Sequence, residues 1–186
     1  MVNLKPNCTY NNPKRAAYHE AGHLVALYLL TGGLSETPKK SKPKKIEAYP
    51  QVFSTLEEHR LIFNEVCYWV AGGVAERVHC NLKGLPKNTT MADDIDMLLV
   101  YSKQDWHFPF KQKKNGYPGC PMLDNMLKSA EDVITSLFRT YDTILKLRAV
   151  AEFLILKNLI TPNALCDLQY DARTKNQLLK ILTNNC

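Results

Sequence analysis

The chain of 186 residues lacks several features that would assign it to familiar classes of protein. None of its six cysteines forms a Cys-x-x-Cys pair, and their spacings match neither a zinc ribbon nor a disulfide scaffold. We therefore expect reduced thiols in a cytoplasmic or another reducing compartment. The N-terminal residues lack the apolar core of a signal peptide, and the longest apolar run, Leu24 to Leu30, is too short to span a bilayer. We expect a soluble protein with no membrane segment.

The charge of the chain is modest and gives little support to a nucleic-acid partner. There are 24 basic and 18 acidic residues, so the formal net charge is +6. Only Tyr49 and Phe53 lie close downstream of the main basic cluster as aromatic stacking partners, so we interpret the cluster as a solvated loop and predict no nucleic-acid binding. The cluster consists of five lysines, Lys39, Lys40, Lys42, Lys44 and Lys45.

The hydrophobic pattern predicts a mainly α fold in one domain, residues 1–186. Asn12 and Pro13 are typical of a helix start, and Gly32 of a helix end. Thr140 lies where we expect a long helical pattern to bend or break. The predicted helices cover residues 16–30, 56–78, 91–101, 123–159 and 172–182, with a short helix beginning at 161–162. Residues 103–121 read as an irregular loop, and we expect at most a small β element near residues 45–50.

The first predicted helix contains a metal-binding motif. His19-Glu20-Ala21-Gly22-His23 has the form H-E-x-x-H. Four residues are just over one helical turn, so both imidazoles project from the same face and can bind one metal ion. Glu20 points to the side of the pair, where it can take a proton from a water on the metal. Zinc lowers the pKa of such a water to about 7, which indicates hydrolytic chemistry at neutral pH.

A catalytic zinc needs a third protein ligand and one open position. The extended motif H-E-x-x-H-x-x-G-x-x-H is absent, because Ala26 and Leu29 stand where its Gly and His would be. The third ligand must come from elsewhere, and spacing alone leaves many histidines and carboxylates open. The candidates are His59, His79, His107, Glu57, Glu58, Glu65, Glu76, Asp93, Asp94 and Asp96.

Three segments, in the same order, resemble the peptidase domain of FtsH-type AAA proteases. Residues 17–23, A-Y-H-E-A-G-H, carry that family's H-E-A-G-H signature. Residues 70–77, V-A-G-G-V-A-E-R, are similar to its G-G-R-x-A-E-E segment, and residues 88–95, N-T-T-M-A-D-D-I, to its T-G-A-S-N-D-I segment. Residues 129–168 resemble its closing helices, with an ending of the L-I-T-P-N-A-L kind. The resemblance covers roughly residues 13–168.

The resemblance implies a helical zinc metallopeptidase domain with a metal site of two histidines and one aspartate. In the family the aspartate of N-D-I is the third zinc ligand, and the matching position here is Asp94. The implied metal ligands are thus His19, His23 and Asp94, with Glu20 as the general base. Glu76, in the second segment, has two interpretations: a carboxylate that orients a ligand histidine, or a glutamate on the helix surface.

The chain also departs from the family. It has no Gly-x-x-x-x-Gly-Lys-Ser/Thr loop, so we expect no ATPase activity in this chain. Residues 34–53 are rich in lysine and proline where the family has a substrate-aligning strand. We predict a zinc-dependent metalloendopeptidase whose partners are protein or peptide substrates and which cuts unfolded or flexible proteins by itself. An oligomer or a partner unfoldase would extend this range to folded proteins. The alternative is a proteolytically inactive metal-binding adaptor or regulatory module derived from the protease domain, and the retention of Glu20 argues for the enzyme.

Overall fold

The computed structural model describes residues 12–34, 56–79, 94, 111–112, 118–119, 121–160 and 171–183. These residues are predominantly helical, which confirms the prediction of a mainly α fold. A short β1 (Lys111–Gln112) pairs antiparallel with β2 (Pro118–Gly119). Across these ranges the helices are α1 (Pro13–Thr31), α2 (Leu56–His79), α3 (Pro121–Phe138), α4 (Tyr141–Leu156) and α5 (Ala172–Thr183).

The first helix begins and ends where its capping residues predict. The Asn12 side chain accepts a hydrogen bond from the Arg15 backbone N–H at 3.2 Å, and Pro13 occupies the first turn. At the other end Gly32 adopts a left-handed conformation, with φ of 74°, and its N–H donates to the Tyr28 carbonyl. That conformation favours glycine, which has no Cβ to clash. The caps place the H-E-x-x-H motif in the middle of α1.

The predicted break near Thr140 is confirmed, because α3 ends at Phe138 and α4 begins at Tyr141. Thr140 has extended backbone angles, and its hydroxyl donates to the Leu137 carbonyl at 2.9 Å. The predicted helices at 56–78 and 172–182 are also confirmed, by α2 and α5. The predictions for residues 45–50, for 161–162 and, apart from Asp94, for 91–101 lie outside the described residues.

The interpretation of residues 103–121 as an irregular loop is wrong at four positions, where β1 and β2 pair. Lys111 lies opposite Gly119, and Gln112 opposite Pro118. The intervening sequence contains Asn115-Gly116, a pair typical of hairpin turns. The high content of glycine and proline concealed this signal.

The helix α1 lies between two others, with α2 and α4 packed against it. Its residues from Ala16 to Leu27 are buried except Tyr18, so its middle turns are covered almost all round. The helix α3 packs on α2, and α5 packs on α4. No helix in the described ranges is long and apolar enough to span a bilayer. The motif on α1 therefore lies inside the protein.

Small residues allow α1 and α2 to approach each other closely. A Cβ built on Gly22 would lie 2.5 Å from the Ala71 carbonyl oxygen and 2.7 Å from the Ala75 Cβ. Both distances are far shorter than an ordinary van der Waals contact, so the space between the helices at this point fits only a glycine. This contact brings the histidines of α1 next to α2.

We expect Gly22→Ala to lower the free energy of unfolding. Forcing a methyl group into a closed contact costs about 1–3 kcal/mol, which exceeds the gain of up to about 1 kcal/mol from the higher helix propensity of alanine. Urea unfolding followed by circular dichroism measures the change. A midpoint equal to or above that of the wild type, as helix propensity alone would give, would show that the helices can separate at no cost.

Candidate metal centre

Two facing rows of residues, one on α1 and one on α2, build the site. In each row the residues are four positions apart, so each row follows one face of its helix. The helices run antiparallel here, because the earlier residues of α1 meet the later residues of α2. The row on α1 consists of Arg15, His19 and His23, and the row on α2 of Glu76, Gly72 and Tyr68.

The two motif histidines and Asp94 converge on one point. The Nε2 atoms of His19 and His23 are 3.1 Å apart, and the Asp94 Oδ2 lies 3.3 Å from the first and 3.6 Å from the second. Ligand atoms about 2.0–2.2 Å from a tetrahedral zinc lie roughly 3.3–3.6 Å from one another. The arrangement therefore fits one such ion. Among the described residues these three form the group that could hold a metal.

The other ring nitrogen of each histidine contacts α2. The His19 Nδ1 is 2.6 Å from the Glu76 Oε1, and the His23 Nδ1 is 2.8 Å from the backbone carbonyl oxygen of Tyr68. When each Nδ1–H donates to its acceptor, each Nε2 keeps its lone pair for a metal. Glu76 is fully buried, so its place is beside His19 rather than on the helix surface.

Gly72 keeps the space in front of the histidines open. A Cβ built on this residue would lie 2.5 Å from the His23 Nε2 and 2.7 Å from both the Nε2 and the Cε1 of His19. Any side chain here would occupy the volume that the ligand atoms surround. Sequence reasoning missed the roles of Gly72 and of the Tyr68 carbonyl. The four-residue spacing from Tyr68 through Gly72 to Glu76 was the available signal.

The site concentrates negative charge around two imidazoles. Burial acts to lower the pKa of His19, but contacts with Asp94 and Glu76 and the charge of Glu20 raise it to about 10. Burial acts to raise the pKa of Asp94, but His23 and His19 bring it well below its ordinary range. The Asp94 Oδ2 is also buried without a hydrogen-bond partner among the described residues. Such an excess of carboxylate favours a divalent cation.

Glu20 lies at the edge of this group, one residue beyond His19, and is 6% exposed. Its charge contributes to the raised pKa of His19, so the carboxylate lies near the metal ligands. Cys67, on α2, is buried and is not among the described residues whose ligand atoms converge. Burial raises the pKa of its thiol to about 12, so it stays protonated at neutral pH.

Comparison with known proteins adds nothing to this description. No protein-family model, curated protein or solved structure matches the chain. The resemblance to FtsH-type peptidases therefore rests on the sequence segments given above, and the functional conclusion rests on the geometry of the site.

Proposed function

We propose that this protein is a zinc-dependent metalloendopeptidase that hydrolyses peptide bonds in unfolded or flexible proteins. One observation carries the proposal: the ligand atoms of the buried His19 and His23 and of the partly buried Asp94 all lie within 4.8 Å of one another. Glu20 follows the first of these ligands directly, as the H-E-x-x-H chemistry requires.

The donor set, held in an H-E-x-x-H motif, favours zinc as the native metal. Two imidazoles and one carboxylate are a common catalytic zinc set, and three protein ligands leave a fourth position open. When bound there, zinc would supply Lewis-acid polarisation of the substrate carbonyl and a water acidic enough to ionise near neutral pH.

The residues of the chain supply the proton transfers and the orientation. Glu20 accepts a proton as the water oxygen bonds to the carbonyl carbon, and it delivers that proton to the amide nitrogen as the C–N bond breaks. Glu76 and the Tyr68 carbonyl hold the two imidazoles by their Nδ1–H groups. The low exposure of Glu20 limits its contact with bulk water, which strengthens its electrostatic interaction with the reacting groups.

Unfolded chains are the substrates that this site suits best. The sequence has no nucleotide-binding loop with which to drive unfolding. Both ligand histidines are buried and Asp94 is partly buried, which favours a substrate that presents an extended segment. Folded proteins would need a separate unfoldase. The metal-binding adaptor derived from a protease domain is the competing function, and it predicts bound zinc without cleavage.

The proposal is tested with unfolded casein and protein loaded with one equivalent of zinc. We expect cleavage that stops when a chelator removes the metal and returns when zinc is restored. Asp94→Ala should lose both zinc and cleavage, because one of the three ligand atoms is gone. Zinc binding by the wild type without cleavage of casein would overturn the peptidase and favour the adaptor. Full zinc occupancy in Asp94→Ala would remove Asp94 from the ligand set.

A further inference from the structure

We propose that Arg15 is a positioning residue for the metal site, acting through Glu76 on His19. The inference rests on the metal site of the proposed function but not on proteolysis. Arg15 lies one turn before His19 on α1, and its Nε donates to the Glu76 Oε2. The other oxygen of the same carboxylate lies 2.6 Å from the His19 Nδ1. One carboxylate thus connects the guanidinium to a metal ligand.

The burial of Glu76 gives this connection its importance. The side chain of Glu76 is 0% exposed and that of Arg15 is 11% exposed. A buried carboxylate is costly unless it is paired, and an arginine beside it supplies both the opposite charge and a directional donor. The Arg15 Nη2 is buried and finds no hydrogen-bond partner among the described residues, so Glu76 is the contact that compensates this guanidinium.

The geometry then determines the orientation of His19. With one oxygen held by Arg15, the carboxylate cannot rotate freely, and its other oxygen stays directed at the Nδ1 of the imidazole. The ring is thereby fixed with its Nε2 facing the His23 Nε2 and the Asp94 Oδ2. Without Arg15 the Glu76 Oε2 loses its charged donor, so the hold on the carboxylate weakens and the ring loses part of its support.

The two possible roles of Arg15, as a nearby charge or as a positioning residue, predict opposite changes in zinc affinity when Arg15 is removed. Arg15 and a divalent ion together balance the carboxylates of Glu20, Glu76 and Asp94. If Arg15 acted only as a nearby positive charge, its removal would strengthen the binding of a cation. If Arg15 positions Glu76, its removal weakens that binding. The sign of the change separates the two roles.

The experiment compares zinc affinity, by competition with a chromophoric chelator, across matched variants. We expect Arg15→Gln to bind zinc about 10- to 100-fold more weakly than the wild type, the range found when partners of metal-bound histidines are removed. Arg77→Gln is the control, since it also removes one arginine, from the position on α2 that directly follows Glu76. Its guanidinium pairs with Glu131 at 3.0 Å in a partly exposed position, so zinc affinity should stay within about twofold.

Two further variants connect the effect to Glu76. The double variant Glu76→Gln, Arg15→Gln should bind zinc almost as tightly as Glu76→Gln alone, because Glu76→Gln already breaks the connection between Arg15 and His19. Arg15→Lys, which keeps the charge but loses the planar guanidinium, should bind zinc more weakly than the wild type and more tightly than Arg15→Gln. If circular dichroism shows that Arg15→Gln does not fold, Arg15→Lys replaces it in the comparison of zinc affinity. The absorption spectrum of bound Co²⁺ reports whether the site geometry changes with affinity.

The outcomes separate this inference from the proposed function. Suppose that Arg15→Gln or Arg15→Lys binds zinc as tightly as the wild type or more tightly, and that its Co²⁺ spectrum is unchanged. That result would overturn the positioning role of Arg15 and leave the proposed peptidase function intact. If Arg15→Gln lowers zinc affinity by the same factor in the wild-type protein and in Glu76→Gln, the effect of Arg15 does not pass through Glu76. A wild-type protein that binds no zinc would overturn both conclusions.

Discussion

Gly72→Ala should abolish tight zinc binding while leaving α2 helical. The new methyl group would lie 2.5 Å from the His23 Nε2 and 2.7 Å from the His19 Nε2, the two nitrogens that we propose as metal ligands. It would fill the volume between them or force the imidazoles apart. Alanine favours a helix more than glycine by up to about 1 kcal/mol, so the helix itself is not weakened. We expect zinc affinity to fall at least about 100-fold, as measured by chelator competition and by metal content after dialysis.

The neighbouring glycine offers a matched control for this result. Gly73→Ala adds the same methyl group about 100° further around α2, where it does not point at the histidines. Gly73 is also buried, so circular dichroism must first show that the variant folds; the folded variant should retain zinc. If Gly72→Ala bound zinc as tightly as the wild type, the metal would not lie between the two Nε2 atoms, and the assignment of the site would fail.

Glu20→Gln should stop peptide hydrolysis and keep the metal. The amide has almost the same shape as the carboxylate but cannot accept the proton of the attacking water. Removing a general base of this kind lowers the rate by about 10²- to 10⁴-fold. Zinc stays bound because Glu20 is not among the three residues whose ligand atoms converge. The measurement is casein cleavage at equal zinc occupancy for wild type and variant.

Each outcome of this comparison has a distinct meaning. Equal hydrolysis by wild type and Glu20→Gln would exclude Glu20 as the base. Loss of zinc from Glu20→Gln would make the residue a structural part of the metal site instead. If neither protein cleaves casein while both hold zinc, the adaptor derived from a protease domain becomes the better description.

Local signals in the sequence were sufficient for much of the fold. Asn12 and Gly32 mark the ends of α1 because capping depends on residues within one turn. Thr140 marks the boundary of α3 and α4 for the same reason. The pairing of β1 with β2 was missed, because its signal, Asn115-Gly116, lay within a stretch that otherwise reads as a loop.

In the candidate site, too, local sequence signals predict some features and leave others to the tertiary structure. The spacing of His19 and His23 places both imidazoles on one face of α1, and no tertiary contact is needed to predict that. Sequence spacing alone could not select Asp94 as the third metal ligand from the ten candidates, because that residue lies far along the chain from the two histidines. The sequence suggested it only through resemblance, and the structure places its Oδ2 within 3.6 Å of both Nε2 atoms.

The sequence was sufficient to establish the H-E-x-x-H motif and to predict its position in the middle of a capped helix. Within that motif, Glu20 is the residue that we propose as the general base. The tertiary structure alone decided the rest of the site. It placed Glu76 on His19, the Tyr68 carbonyl on His23, Arg15 on Glu76, and a glycine where a side chain would fill the space. These contacts depend on the register between α1 and α2. That register is fixed by the close approach at Gly22 and not by any pattern within a single helix.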